Sequence, residues 1–382
     1  MTSYRIPFCR PFITGSELSY VEQAVREGSL AGGGPFTRKC ERLLSERFGI
    51  AKAMLTPSCT AALEMAATLC DVGPGDEVVL PSFTFVSTAN AFVARGARPV
   101  FVDVREDTLN IDERRVEAAI TARTKAIVVV HYAGVACAMD EIMAIARRRG
   151  VRVVEDAAHA ADGWYKGRAL GSIGDIGAFS FHASKNVVSG EGGAIAINRA
   201  ELGERSEIVW NKGTNRRKFL DGLVDRYTWV DVGSSYAPAE IVAAFLLAQL
   251  ERLDEIGNAR RSLCESYREA LAPLHRRGLL ALPVVPDGCV PSYHLFHVLL
   301  ADRRARDGLI AHLAARGISA VFHYSPLHSS PMGRRYGYVP DDLPVSERSS
   351  ERIVRLPLYP GLGKGDQSQV VEAIEEFVTG RS

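Results

Sequence analysis

Ala126-Ile127-Val128-Val129-Val130-His131, the stretch Met139–Arg149 closed by Gly150, and Val151-Arg152-Val153-Val154-Glu155 together decide the fold. The two flanking runs are short and β-branched. The Ile127–Val130 run is apolar, without the alternation of a half-wetted strand, which supports strands buried on both faces. Between them, Met139–Arg149 carries apolar residues at helical spacing, and Gly150 supplies the stop. Strand, helix, strand over this length is a βαβ unit, which implies a parallel sheet covered by helices.

Working outward, the same rhythm extends over Phe48 to about Asn198. Strands are predicted at Ala51–Thr56, Glu77–Leu80, Pro99–Val104, Ala178–Phe181 and Ala194–Asn198, with a helix at Ala61–Leu69. After Ala237 a helical stretch with AAFLLAQLERL at its core and charges on its outer face runs to about Leu271. Beyond it Leu279–Leu282, Tyr293–Leu300 and Ala320–Phe322 read as strands, among helices near Arg306–Arg316, Ser346–Arg355 and Gln367–Thr379. The expected architecture is α/β: a large, mostly parallel sheet unit over 1–252 that includes the N-terminal segment, and a smaller C-terminal α/β unit over 253–382.

Composition narrows the function. Of 382 residues, 46 are Lys or Arg and 45 Asp or Glu, a formal charge of +1 that argues against nucleic acid or an anionic membrane as partner. The first residues, MTSYRIPFCRPF, do not resemble a signal peptide, and no run approaches a membrane span, so a cytoplasmic protein is expected. The seven cysteines never adopt the spacing of a zinc or redox site, which leaves reduced thiols and no metal. Only eight of the basic residues are lysines, so each lysine is worth inspecting.

Ligands of open parallel sheets gather at the carboxyl ends of strands, and four such places carry chemistry. Thr56-Pro57-Ser58-Cys59-Thr60-Ala61 turns into a helix whose free amides and hydroxyls suit a phosphate, or merely cap the helix. Phe85, in PSFTFVS, could offer a flat face to a ring or simply pack. In Val153-Val154-Glu155-Asp156-Ala157-Ala158-His159 an aspartate at a strand tip could hold a cationic ring nitrogen, with His159 near the same ligand; capping and a structural histidine are the alternatives. Phe179-Ser180-Phe181-His182-Ala183-Ser184-Lys185 sets a lysine just past a buried strand, where burial could leave its amine able to form a Schiff base. Anion cradle, ring platform, carboxylate and reactive lysine are the parts that hold pyridoxal 5'-phosphate. The run Gly32-Gly33-Gly34 lacks the lysine and the Ser or Thr of a P-loop and reads as a flexible turn near a subunit contact.

The ordered blocks TPSCTAAL, PSFTFVSTANA, VVEDAAH, FSFHASKN with GEGG, KGTNR, HYSPLH and LPLYP resemble the DegT-type family of nucleotide-sugar aminotransferases over nearly the whole chain. The branch most similar aminates C4 of dTDP-4-keto-6-deoxyglucose in amino-sugar biosynthesis for antibiotics or surface polysaccharides. The resemblance implies the aspartate-aminotransferase fold (fold type I), a homodimer with shared active sites, pyridoxal 5'-phosphate passing through pyridoxamine 5'-phosphate, and L-glutamate with a dTDP-ketosugar as substrates. It implies Lys185 as the covalent and catalytic residue, Asp156 at the ring nitrogen, His159 by the ring hydroxyl and Phe85 stacked on the ring. Thr60, Ala61 and Ser180 would hold the phosphate with Asn215 of the partner subunit, while His328 and Arg216 would face the substrate. Relatives that dehydrate sugars at C3 carry histidine at the lysine position, so Lys185 argues against that activity. Lys185 with Asp156 also argues against a non-catalytic regulator; amination at C3 stays open.

Overall fold

A computed structural model describes residues 4–380; residues 1–3 and 381–382, the outer ends of the two expected units, lie outside the described part. Strands β1 (Lys52–Thr56), β2 (Glu77–Pro81), β3 (Arg98–Val102), β4 (Thr124–Val130) and β5 (Arg152–Asp156) belong to the main sheet. A short hairpin, β6 (Trp164–Tyr165) and β7 (Arg168–Ala169), leaves it before β8 (Ile176–Ser180) and β9 (Gly193–Ile197) return. The seven-stranded order is β1-β9-β8-β5-β4-β2-β3. All pairs from β8 to β3 are parallel, whereas β9 runs antiparallel to both its neighbours. The reversal follows from the loop between β8 and β9, which holds no crossover helix and so can only fold the chain back. Along the parallel strands, side chains alternate between two apolar clusters, one on each sheet face.

The helix Met139–Arg149 forms over the span its periodicity predicts, and Gly150 ends it at φ 65°. Four expectations need correction. The stretch after Ala237 is two helices, Glu240–Leu250 and Leu253–Arg276, parted at Glu251-Arg252. The first is buried on almost every side and has no charged outer face. The predicted helix near Ser346–Arg355 stops at Arg352, because the β-branched pair Ile353-Val354 opens strand β12 (Ile353–Leu356). That strand pairs with β11 (Phe296–Leu299), while Leu279–Leu282 and Ala320–Phe322 shrink to the single bridges Ala281–Leu299 and Val321–Arg355. Between them in sequence, β10 (Cys289–Val290) extends the β6-β7 hairpin. Finally, Ile6 packs in the C-terminal core with Tyr267, Phe296 and Ile374, not with the large sheet. Its backbone bonds to Gly317 and Ser319 at 3.0 and 2.9 Å.

Gly32–Gly34 is a packed corner, not a flexible turn. A Cβ on Gly32 would lie 2.3 Å from the Pro238 carbonyl. Fully buried Glu240 accepts the N–H groups of Gly34 (3.0 Å), Phe36 (2.8 Å) and Thr37 (3.2 Å), plus the Thr37 hydroxyl. This carboxylate thus caps the helix Pro35–Phe48 from a distant element, where the positive helix end favours it. Glu240→Ala strands these donors without water, and a loss of about 3 kcal/mol in urea unfolding at fixed protein concentration is expected. Among the described residues no helix is long and apolar enough to cross a membrane, and all seven cysteines are free thiols.

Candidate active site

The last residues of three adjacent parallel strands, Val130, Asp156 and Ser180, open into one cavity of about 800 Å³. Segments of the C-terminal core supply its other walls. Six residues singled out in the sequence meet there: Lys185, Asp156, His159, Thr60, Phe85 and Ser180.

Lys185 sits in the loop between β8 and β9, half-buried. Burial pushes its amine down to about 8; Cys59 and Asp156 oppose that fall, and the Arg355 charge adds to it. Asp156 ends β5 and is buried. Its Oδ2 accepts from Thr88 Oγ1 at 2.7 Å and its Oδ1 from the Ala158 N–H at 3.1 Å. Since Thr88 spends its proton on the carboxylate, the 2.8 Å contact between Thr84 and Thr88 has Thr84 as donor. Burial raises the Asp156 carboxyl, and the Thr88 and Ala158 bonds act against it.

The neighbouring Glu155 has a different task. Strand alternation turns it to the opposite face. There it accepts from Gly171 N–H (2.8 Å), Ile173 N–H (2.7 Å) and His131 Nε2 (2.9 Å). His131 Nδ1 accepts the Cys137 N–H, so the proton of this imidazole lies on Nε2.

His159 is buried with its Nδ1 unpartnered, and burial drives its pKa well below the usual value. The ring is therefore neutral. It stacks on His294 with centroids 4.3 Å apart, and its Nε2 lies 3.4 Å from the Tyr324 hydroxyl. His294 donates from Nδ1 to Asn186 Oδ1 at 3.0 Å, which ties the imidazole pair to the residue beside Lys185. Phe85 is exposed at the start of the helix Val86–Val93, with Tyr324 6.4 Å away.

The other expected residues lie elsewhere. Ala61 is absent from the cavity lining, because its N–H is taken by Ser58 Oγ at 3.1 Å as the cap of the helix Cys59–Leu69; Ser58 and Cys59 line the wall instead. His328 is fully buried away from the cavity. Its Nδ1 accepts from Ser82 Oγ at 2.7 Å and its Nε2 donates to the Pro340 carbonyl at 3.2 Å, so both nitrogens are committed to packing. Asn215 spends both ends of its amide on its own loop, to the Arg226 carbonyl and the Thr228 N–H. Arg216 is exposed beside it, outside this chain's cavity. Sequence reading missed Thr88, His294, Tyr324, Arg260 and Arg355. The i, i+4 spacing of Thr84 and Thr88 on one helical approach was a usable signal, and HYSPLH contains Tyr324 two residues before the proline-leucine step.

The arrangement can perform proton transfer at Lys185 Nζ and hold a cationic ring nitrogen against Asp156. Comparison with known proteins fits this chemistry. The chain is 36% identical to the spore coat polysaccharide biosynthesis protein SpsC of Bacillus subtilis, over 98% of this chain and 97% of that protein. The aminotransferase TlmJ of Streptoalloteichus hindustanus superposes with a TM-score of 0.90 at 35% identity, covering 98% of this chain and 99% of that one. Spr1654 of Streptococcus pneumoniae, solved in PLP and PMP forms, gives 0.91 at 28% identity for the PLP form, covering 99% of both chains. With the family model matching residues 11–375, the chain belongs to the DegT/DnrJ/EryC1/StrS aminotransferase family.

Proposed function

We propose that the protein is a pyridoxal 5'-phosphate-dependent sugar aminotransferase that moves the amino group of L-glutamate to C4 of dTDP-4-keto-6-deoxy-D-glucose. The observation that carries this reading is the meeting of Lys185 and Asp156 in one cavity at the ends of the parallel strands. The residues suit the cofactor on several counts. A buried carboxylate is available for a ring nitrogen, an orphaned His159 Nδ1 for a ring substituent, and the hydroxyls of Ser58, Thr60 and Ser180 for a phosphate. Gly193 keeps the wall thin: a Cβ there would press on the Ser58-Cys59 backbone at 2.4 Å.

When bound, pyridoxal phosphate supplies an electron sink that lets a carbon-bound proton of an amine leave. Lys185 would anchor the cofactor through Nζ and, as a free amine, would hold at that atom the proton that leaves the donor carbon. Asp156, whose oxygens accept from Thr88 and Ala158, would hold the ring-nitrogen proton in place. Phe85, exposed at the cavity wall, would cover one side of the ring. His159, neutral, offers its free nitrogen without adding charge.

The loop bearing Asn215 and Arg216 supports a homodimer: Leu223 and Trp229 are 72% and 78% exposed there. In the dimer the loop would carry Asn215, with the one amide hydrogen left beyond its Arg226 bond, to the partner's phosphate site and Arg216 to its substrate. Residues 1–252, apart from the Ile6 segment seated in the C-terminal core, act as the cofactor unit and residues 253–382 as the C-terminal unit, and the enzyme works in the cytoplasm, where nucleotide sugars are made. The name of SpsC, a spore coat polysaccharide biosynthesis protein, supports an amino sugar destined for a surface polysaccharide. Incubation with glutamate and a panel of dTDP- and UDP-ketosugars, with NMR of the product, tests the substrate. Formation of a 4-amino-4,6-dideoxy sugar is the expected result; amination at C3, or no conversion of the dTDP-4-ketosugar, rejects it.

A further inference from the structure

His159 has little to hold its ring in place. Among the described residues its Nδ1 has no partner, and its Nε2 stands 3.4 Å from the Tyr324 hydroxyl, long for a hydrogen bond from an O–H. A histidine without a firm hydrogen bond is free to turn about its last side-chain torsion, and the direction of its nitrogens turns with it. Ring faces are what restrain this one. His294 lies closest, with centroids 4.3 Å apart and planes at 29°. His323 and Tyr132 are each 5.9 Å away.

The segment that carries His294, by contrast, is held at every residue. Asn186 Nδ2 donates to the Ser292 carbonyl at 2.7 Å. Arg260, 3% exposed, donates from Nε to the Tyr293 carbonyl at 2.9 Å and from an Nη to that of His294. Ser292 Oγ in turn donates to the His159 carbonyl. A Cβ on Gly134 would lie 2.8 Å from that same carbonyl and 1.9 Å from Ser292 Oγ, so the approach of this segment to His159 requires glycine there. Tyr293 stands at φ 54°, a left-handed conformation that a bulky residue keeps only where its surroundings impose it. Donors from two buried side chains impose it here, and the side chain that the twist sets in place is the next one, His294.

The same hydrogen bonds fix the His294 tautomer. A carbonyl only accepts, so the amide nitrogen of Asn186 faces Ser292 and its amide oxygen faces His294. His294 Nδ1 therefore carries the proton, 3.0 Å from that oxygen. Burial drives the pKa of this imidazole well below the usual range, and Lys185, Arg260, Arg355 and His323 add to the fall, so the ring is neutral. It lies face to face with neutral His159 without charge repulsion. Backbone strain, a buried arginine and a fixed tautomer converge on one ring, and the aromatic neighbour of that ring is His159.

We propose that His294 is a positioning residue: its face fixes the plane of the His159 ring, and thereby the direction in which the free Nδ1 meets the cofactor. The inference rests on the pyridoxal-phosphate reading of the cavity. Its test reads binding, not turnover. Each apoprotein is titrated with pyridoxal 5'-phosphate, and the Kd and the pH midpoint of the bound cofactor's absorbance are measured. His294→Gln offers Asn186 a donor but no ring. Its midpoint is expected to shift by about 0.4 to 1 pH unit and its Kd to rise about two- to tenfold, the scale of one aromatic pair. His294→Leu, also ringless, takes its place if the glutamine variant does not fold. His294→Phe, which keeps a ring and loses the bond to Asn186, should lie nearer the wild type on both counts. In a His159→Ala background the loss of the His294 ring should move the midpoint by less than about 0.2 unit, since the ring it orients is gone. A wild-type midpoint in the ringless variants overturns the proposal. So does a phenylalanine variant displaced as far as glutamine, a shift that persists without His159, or a wild-type midpoint in His159→Ala itself. Wild-type apoprotein that takes up no pyridoxal phosphate would instead sink the cofactor reading, whatever the variants do.

Discussion

Lys185→Ala is expected to lower steady turnover of glutamate and ketosugar by at least about 10⁴-fold, since one change removes both the covalent anchor and the proton carrier. Retention of more than about one per cent of wild-type turnover would take Lys185 out of that role. The amine's position also sets a pH dependence. In the folded apoprotein it titrates near 8, against 10.5 when free. Uptake of pyridoxal phosphate, followed by absorbance, should therefore rise through a midpoint near pH 8, with no further rise toward 10. Stability has its own sign. Between about pH 8 and 10.5 the unfolded chain binds the extra proton, so apoprotein stability gains as pH climbs through that window; below about pH 8 the burial penalty is present in full. Lys185→Met removes the penalty, and at pH 7 this apoprotein should be the more stable one in urea.

Asp156→Asn is expected to lower kcat/KM by about 10²–10³-fold, the usual scale for removing one preorganised electrostatic partner. The variant should fold, because the asparagine carbonyl can still accept from Thr88 or Ala158. What it loses is the charge that keeps a proton on the ring nitrogen. The loss should fall on kcat for both half-reactions and be accompanied by a shifted cofactor absorbance. A variant with wild-type kcat and only weaker cofactor binding would show that Asp156 merely grips the ring.

Much of this was legible from local pattern. Met139–Arg149 and its Gly150 stop could be read to the residue, because helical periodicity and a left-handed end coincide. The strand tips that carry Asp156, Ser180 and Lys185 were legible for the same reason: an apolar run ending in polar residues marks the ligand edge of a parallel sheet. What could not be read depends on contacts far apart in sequence. Nothing local says that Arg355 of β12 meets Phe8, or that His294 stacks on His159. HYSPLH misled in a specific way, because its last histidine is spent on Ser82 and Pro340 while His323 and Tyr324 face the cavity. The Ile353-Val354 strand was hidden by a preceding helical period that runs straight into it.

The pairing of Ile6 with Gly317 and Ser319, and of the Phe8 carbonyl with the Leu358 N–H, sets an order of assembly. Ile6 and Phe8 must wait for residues made more than three hundred positions later before their backbone groups are satisfied. During synthesis the main sheet can close early, since its strands are near one another in the chain, but the Phe8-Cys9 wall cannot form until Leu358 has left the ribosome. A nascent chain therefore carries a folded sheet and an open, unroofed site for the last stage of its birth. Capture of the cofactor belongs to the finished molecule, and a C-terminal nick that frees β12 would undo the cavity from its other end.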